Sequence, residues 1–417
     1  MRSSGLPPPS PDALASSARL SRLIAQRIAA AGGWVGFDTY MQWALYEPGL
    51  GYYSGGSRKF GAEGDFVTAP ELGPLFGTCI AAQCAQWFAH VPRSILEFGA
   101  GSGALAAQVL TALEARGIGD VDYAIVELSG ELRARQAATL AEHVPHLAAR
   151  VRWLDAWPDT IRGVVLGNEL LDAMPARVFG LAGSDVVECG VAVASAESSD
   201  AGDPDAGDSE DAPRLCWAER PAEAGFAQRV RARLAQAWDG PAQAHAYIGE
   251  LGEQAEAWIR QLADRLVCGA VLLLDYGFPR HEFYHPQRHR GTLMCHYRHR
   301  AHTDPFLWPG LQDLTVHVDF TAIAESARGG GLDLLGYTTQ ARLLLDLGLL
   351  DEVQLSGAPG SAAYVRATRA VHTLISDAEM GELFKAIAFG RGVPDDALGF
   401  RSADRRAVLS AGAPTAG

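Results

Sequence analysis

Apolar residues in this chain gather into short continuous runs, separated by longer stretches with helical spacing. Strand-like runs lie at 94–99, 122–128, 150–154, 163–168, 270–276, 332–339 and 361–368. Runs of this length suit strands buried on both faces, and their alternation with helices argues a mostly parallel sheet. The pattern predicts an α/β fold, a seven-stranded, doubly wound, Rossmann-like sheet. Leu20 to Ala31 has the spacing of an amphipathic helix. Residues 243–267 predict another, with Tyr247, Leu251, Trp258, Leu262 and Leu266 facing the core. The fourth and fifth runs stand about a hundred residues apart, far beyond an ordinary connection, so a large insertion separates them. Within it, 176–194 reads as a hairpin. Residues 195–213, with Glu197, Asp200, Asp203, Asp205, Asp208, Glu210 and Asp211 among small residues, read as a disordered, solvated spacer. The organisation follows: a disordered tail at 1–12, an N-terminal helical and lid extension at 13–90, the first half of the core at 91–175, the insertion at 176–242, and the second half of the core at 243–417 with a substrate lid at 278–320.

Composition narrows the class. The chain has 417 residues, enough for a large core, and is 48% hydrophobic and 20% charged. A net charge of −14, from 35 basic and 49 acidic residues, speaks against a nucleic-acid backbone as main partner. Lysine occurs only at Lys59 and Lys385, and with abundant Ala and Gly this suggests a GC-rich bacterial genome. The six cysteines (Cys79, Cys84, Cys189, Cys216, Cys268, Cys295) form no C-x-x-C pair and read as reduced cytoplasmic thiols. No apolar run reaches about 18 residues, so no membrane insertion is expected. Asp12 is the only acid near the Ser/Arg-containing N-terminus, which raises a mitochondrial transit peptide. The helix from Leu20 leaves little room for a leader. A bacterial cytoplasmic location is therefore expected, with the mitochondrial matrix as the alternative.

The most informative stretch is Ile95-Leu96-Glu97-Phe98-Gly99-Ala100-Gly101-Ser102-Gly103. A buried strand ends in a turn with almost no side chains, so a ligand can lie against the backbone at the start of the next helix. Glu97 sits inside the apolar run, where an unpaired carboxylate is costly, so it calls for a cationic or donor-rich partner. The spacing G-x-G-x-G differs from the G-x-G-x-x-G of nicotinamide-binding proteins. Together these residues resemble the first motif of class I S-adenosylmethionine (SAM) methyltransferases. A dinucleotide enzyme and a plain turn of a doubly wound fold are the alternatives. Glu127, at the tip of the second strand with Leu128 after it, is placed to accept both ribose hydroxyls of an adenosine, about twenty residues after the glycines. The third strand ends at Asp155-Ala156, where the methyltransferase resemblance implies a carboxylate on the adenine amino group. The fourth ends at Asn168-Glu169, beside the place where the methyl group would project.

Further motifs point to one family. Asn168-Glu169-Leu170-Leu171-Asp172-Ala173-Met174-Pro175 is similar to the NELLDALP signature of MidA-like methyltransferases. Tyr40-Met41 with Tyr46-Glu47-Pro48-Gly49-Leu50-Gly51-Tyr52-Tyr53, Gly64-Asp65-Phe66-Val67-Thr68-Ala69-Pro70-Glu71, Leu274-Asp275-Tyr276-Gly277, Gly291-Thr292-Leu293 and His317-Val318-Asp319-Phe320 resemble other signatures of that family. The resemblance spans about residues 20 to 390, and only the acidic insert departs from it. It implies SAM as cofactor and protein arginine N-methylation as activity, with a subunit of respiratory NADH dehydrogenase (complex I) as protein partner. A homodimer is left open. Two other readings are a non-catalytic assembly factor that keeps the SAM fold and an NAD-dependent oxidoreductase. The intact Glu97, Gly99, Gly101, Gly103 and Glu127 oppose the former, and the glycine spacing opposes the latter.

On the acceptor side, a guanidinium is cationic and holds its proton tightly, so carboxylates near the methyl group would clamp it. Glu169 and Asp172 suit this, and their i, i+3 spacing puts both on one side if the turn after the strand is helical. Helix capping is the competing role. Asp275 at the tip of the fifth strand should flank the same cleft. Seven of the twelve histidines fall between His281 and His317. His281, His285 and His289 have i, i+4, i+8 spacing, but Pro286 interrupts a helix there and interleaved arginines oppose a cation. No metal is assigned. The segment reads as a polar lid, with His317 and Asp319 near the cleft and His317 able to take a proton. The aromatics Trp34, Phe37, Tyr40, Trp43, Tyr46, Tyr52 and Tyr53 read mostly as core. Glycines 49, 51, 55, 56, 61 and 64 make a flexible closing loop, which would bring Thr68 and Glu71 to the cofactor or acceptor.

Overall fold

The computed structural model describes residues 6–55, 68–183, 185–195, 212–238 and 246–410. The chain divides into two compact units.

The second unit (67–171, 256–279 and 318–417) holds the predicted sheet. Its strands are β1 (Ser94–Phe98), β2 (Asp122–Val126), β3 (Val151–Leu154), β4 (Ile161–Asn168), β5 (Leu266–Phe278), β6 (Asp333–Thr339) and β7 (Phe384–Arg391). The spatial order is β6-β7-β5-β4-β1-β2-β3, and a short strand at Val318–Asp319 pairs with the end of β5. β7 runs antiparallel to both its neighbours, while the β5–β4, β4–β1, β1–β2 and β2–β3 pairs are parallel. The order runs one way from β1 and the other way from β4, so β1 and β4 form the switch point of a doubly wound sheet. Helices cover both faces, which is why Ala270 to Leu274 on β5 are buried without alternation. The helix Leu75–Trp87 packs Phe76, Cys79, Ile80 and Trp87 into this core. The extension expected at 13–90 is thus shared between the two units.

The first unit (1–66, 172–255 and 280–317) unites the rest of that extension, the insertion and most of the segment expected to be a lid. The helix Pro11–Ala30 buries Leu20, Ile24 and Ile28, and Ser10 caps it inside the span expected to be a disordered tail. The hairpin expected at 176–194 is present, Arg177–Ala182 against Asp185–Val193. Phe37, Tyr40 and Tyr52 are fully buried, as expected. The spacer at 195–213 and the glycines at 56, 61 and 64 lie almost wholly outside the described residues.

Three expectations need correction. The run at 361–368 is part of the helix Ala362–Ile375, whose N-terminus is capped by the Ser361 hydroxyl accepting from the Tyr364 amide (3.2 Å). Its buried residues Ala370, Val371 and Leu374 follow a helical period. The seventh strand is β7, whose Ala386, Ala388 and Gly390 mute the β signal that Tyr364 and Val365 mimic. The span 243–267 is not one helix. Tyr247–Leu251 is a strand paired with Arg177–Ala182, and after Gly252 the helix runs Glu253–Arg265. The segment after β4 is a turn and not a helix, so Glu169 and Asp172 do not share a helical face.

An interior strand of the sheet bears on stability. Leu272 on β5 is fully buried between the helix layers. Leu272→Ala should lower the unfolding free energy by about 2–5 kcal/mol, read from urea denaturation followed by tryptophan fluorescence. An unchanged midpoint would show that this strand is not the core of the unit.

Candidate functional site

The site is built at the carboxyl ends of the parallel strands around the switch point. β1 ends at Phe98, in register with Gly167 on β4 and Val126 on β2. Gly99, Gly101 and Gly103 follow with φ of 68°, 52° and 85°, the left-handed region that only glycine enters cheaply. The helix Ala104–Ala115 starts directly after them, so its N-terminal N–H groups lie at the glycine turn. Ala100 is buried and its carbonyl accepts from the Gly103 amide (2.7 Å), closing the turn. The Ser102 hydroxyl donates to Glu71, and Gln108 donates to the Pro70 carbonyl (2.7 Å). The segment from Thr68 to Leu72 is thereby tied to the glycine turn.

Glu97 is fully buried, and the Tyr123 hydroxyl on β2 donates to its Oε2 (2.8 Å). Its partner is a donor, as expected, though not a cation. Burial pushes the Glu97 carboxyl up to about 7, and the Tyr123 hydrogen bond offsets part of that rise.

Glu127 follows the end of β2, half-buried. Its Oε1 accepts from the Ser129 amide (2.9 Å) and its Oε2 from Gln136 Nε2 (3.2 Å). Leu128 beside it is 78% exposed, an unusual position for a leucine in a protein with so much core. Asp155 and Ala156 are exposed after β3. Arg133 joins the two strand ends. It donates to the Glu127 carbonyl and to the Leu154 carbonyl (3.0 Å), and it pairs with Asp155 (2.7 Å).

β4 ends at Asn168, in register with Leu274 of β5. Asn168 is buried. Its Nδ2 donates to Glu169 Oε1 (3.0 Å), while its Oδ1 has no hydrogen-bond partner among the described residues. Such an acceptor is costly unless a ligand donor meets it. Glu169 has φ of 53°, strain that a non-glycine residue tolerates only when its surroundings impose it. Those surroundings are visible. The Glu169 amide donates to the Leu274 carbonyl (2.9 Å), and the Leu170 and Leu171 amides both donate to Asp275 Oδ2 (3.0 and 2.7 Å). The Tyr276 amide donates to Asp275 Oδ1 (2.9 Å). Asp275 is buried and its carboxylate spends these bonds on backbone, which makes it the holder of the Glu169 turn. Asp319 likewise caps the helix Phe320–Gly329 by accepting from the Ala322 amide (3.1 Å).

The remaining expected residues fall in the first unit. The Val316 amide donates to the carbonyl of buried Asp172 (2.9 Å), which brings His317 and Asp172 into one neighbourhood. The His317 amide donates to the Thr292 hydroxyl (3.1 Å), and its Nδ1 lies 3.4 Å from the Thr292 carbonyl. The buried Glu250 carboxylate accepts from the Thr292 amide and hydroxyl and the Leu293 amide, which explains the Gly291-Thr292-Leu293 motif structurally. His281, His285 and His289 are exposed, and a helix covers only Arg280–Phe283.

Sequence reasoning missed Arg133 and Gln136. Both lie on the helix Gly130–His143, where polar residues ordinarily face solvent, and no motif marks them.

Residues 79–338 match a family model of S-adenosyl-L-methionine-dependent methyltransferases. The chain is 49% identical to a COG1565 superfamily protein from Burkholderia thailandensis whose crystal structure contains bound S-adenosyl-homocysteine. The two superimpose with a TM-score of 0.86 over 96% of this chain and 99% of that one. The protein arginine methyltransferase NDUFAF7 of Danio rerio mitochondria is 28% identical over 89% of this chain and 87% of its own length. Its Drosophila melanogaster homologue is 26% identical over 85% and 81%.

Glu97 provides a pH test. Its folded value near 7 lies above the ordinary 4.5, so the folded chain holds more protons between these values. Its contribution to stability is full below the unfolded value and is lost as pH rises through the folded one. The melting temperature of the parent should therefore fall relative to that of Glu97→Gln between about pH 5 and about pH 8. A difference that stays constant over that range would contradict the buried, proton-holding carboxyl.

Proposed function

The chain belongs to the S-adenosyl-L-methionine-dependent methyltransferases, and we propose that it methylates arginine side chains of a protein partner. Its relatives in mitochondria are named protein arginine methyltransferases. The observation that carries the reading is Glu169, a strained carboxylate held at the end of β4 beside the switch point.

The residues present fit the cofactor. The glycine turn offers backbone where a side chain would block, Leu128 presents an uncovered apolar surface next to Glu127, and Asn168 Oδ1 awaits a donor. We assign Gly99 to Gly103 to the amino-acid half of SAM, with Glu97 beneath it and Thr68 near it. Glu127 and Leu128 are assigned to the ribose and Asp155 and Ala156 to the adenine. When bound, SAM supplies a methyl group on a positive sulfonium with a good leaving group. The protein's share is to orient the acceptor and take its proton. Glu169 pairs with the guanidinium, aims one nitrogen and receives the proton as the nitrogen loses it. Asp275 acts at one remove, by fixing the turn that presents Glu169. Asp172 and His317 are the further candidates for handling the proton. Asp319, engaged as a helix cap, serves position instead.

No helix among the described residues is long and apolar enough to cross a membrane. We place the protein in the bacterial cytoplasm on its lysine-poor composition. The MidA-like resemblance implies a subunit of respiratory NADH dehydrogenase as acceptor.

Glu169→Gln keeps shape and removes charge. It should hold SAM affinity within about threefold while lowering methylation by about two orders of magnitude or more. The acceptor source is an extract of cells lacking the protein, with radiolabelled methyl followed into protein and, after hydrolysis, into methylarginine. Label in another amino acid would overturn the arginine reading. Loss of SAM binding in the variant would move Glu169 to the cofactor.

A further inference from the structure

We infer that Gln136 is a positioning residue of the cofactor site, fixing the carboxylate of Glu127 from an anchor on the Gly101 carbonyl and the Trp153 indole. The inference rests on the reading that Gly99–Gly103 and Glu127 hold SAM.

Gln136 sits in the middle of the helix Gly130–His143 and is fully buried. Its side chain reaches the ends of three strands at once. One Nε2–H donates to the Gly101 carbonyl (3.2 Å), the other to Glu127 Oε2 (3.2 Å), and Oε1 accepts from the Trp153 indole on β3 (2.8 Å). The orientation of the amide is chemically determined. An indole nitrogen only donates, so the oxygen must face Trp153, and the two N–H groups must face a carbonyl and a carboxylate, which only accept. Every one of these assignments is satisfied, and no other side-chain type of that length offers two donors and an acceptor without charge. A lysine there would lack the acceptor, and a glutamate would set a second carboxylate against Glu127.

The fit extends to the backbone. A Cβ on Gly103 would lie 3.1 Å from Gln136 Cα, so the glycine lets this helix come close enough for the amide to reach. One turn earlier, Arg133 binds the Glu127 and Leu154 carbonyls from the same helix face. Arg133 fixes the backbone of the Glu127 segment, and Gln136 fixes the carboxylate. Glu127 Oε1 is already held by Ser129, so the Gln136 bond removes the remaining freedom of the side chain. A carboxylate fixed before the ligand arrives costs less ordering on binding.

A residue that only filled the core would weaken cofactor binding independently of Glu127. A residue that acts through Glu127 would lose its effect once that carboxylate is gone. The test is a double-mutant cycle on the full-length chain, with SAM affinity read by titration calorimetry and folding checked by thermal melting. Gln136→Met keeps length and volume and removes the three bonds. It should weaken SAM binding by about tenfold while leaving kcat at saturating SAM within about twofold, and Glu127→Ala should weaken binding by at least about as much. The double variant should bind within about threefold of Glu127→Ala alone. If Gln136→Met does not melt cooperatively, Gln136→Leu replaces it in the cycle with the same expectation. Losses that multiply, or a Gln136 variant that binds like the parent beside a weakened Glu127→Ala, overturn the inference alone. A Glu127→Ala variant with parental affinity overturns the cofactor reading beneath it.

Discussion

The reversal of strand order between β1 and β4 is the constraint on which the rest depends. At that point the segments after the two strands leave in opposite directions, and a crevice opens at the carboxyl edge of the sheet. The glycine turn can line it because left-handed backbone and absent side chains leave room for a ligand against the N-terminus of the next helix. β2 and β3 add Glu127 and Asp155 on one side, and β4 and β5 add Asn168, Glu169 and Asp275 on the other. The order of the sheet therefore sets Glu127 and Asp155 on one side of the glycine turn and Asn168, Glu169 and Asp275 on the other.

The same edge concentrates buried polar groups, each of which the fold must satisfy. Glu97 is met by Tyr123, Asp275 by three amides, and Gln136 by the Gly101 carbonyl, the Glu127 carboxylate and the Trp153 indole. Groups of this kind are costly in a core and specify one arrangement when fully paired. Asn168 Oδ1 breaks the pattern, with no hydrogen-bond partner among the described residues. Backbone strain also falls at this edge. Glu169 bears the left-handed backbone, and the β5 carboxylate that binds the next two amides keeps it there.

Much of this was legible in the sequence because it is local. The glycine turn, the acidic strand ends and the order of strand and helix are written in consecutive residues, and the hairpin at 177–193 follows from alternation. What escaped depends on tertiary context. The run Tyr364-Val365 has the β-branched and aromatic character of a strand, yet Ser361 caps it into a helix. β7, rich in alanine, earns its strand by pairing on both sides. Asp275 reads as a catalytic acid until its amide partners in the turn after β4 and on β5 are seen. Nothing in the sequence marks Gln136 and Arg133, because their partners at the strand ends appear only in the folded chain. The gathering of residues 1–66, 172–255 and 280–317 into one unit is also a property of the folded chain.

The central claim is that the glycine turn after β1 cradles SAM. Titration calorimetry on the parent and on Gly101→Val tests it most directly, because a valine at φ of 52° both strains the turn and fills the space beside it. The account predicts one SAM bound per parent chain, no binding of NAD, and no SAM binding by a variant that still melts cooperatively. A folded Gly101→Val variant that binds SAM with parental affinity would contradict it.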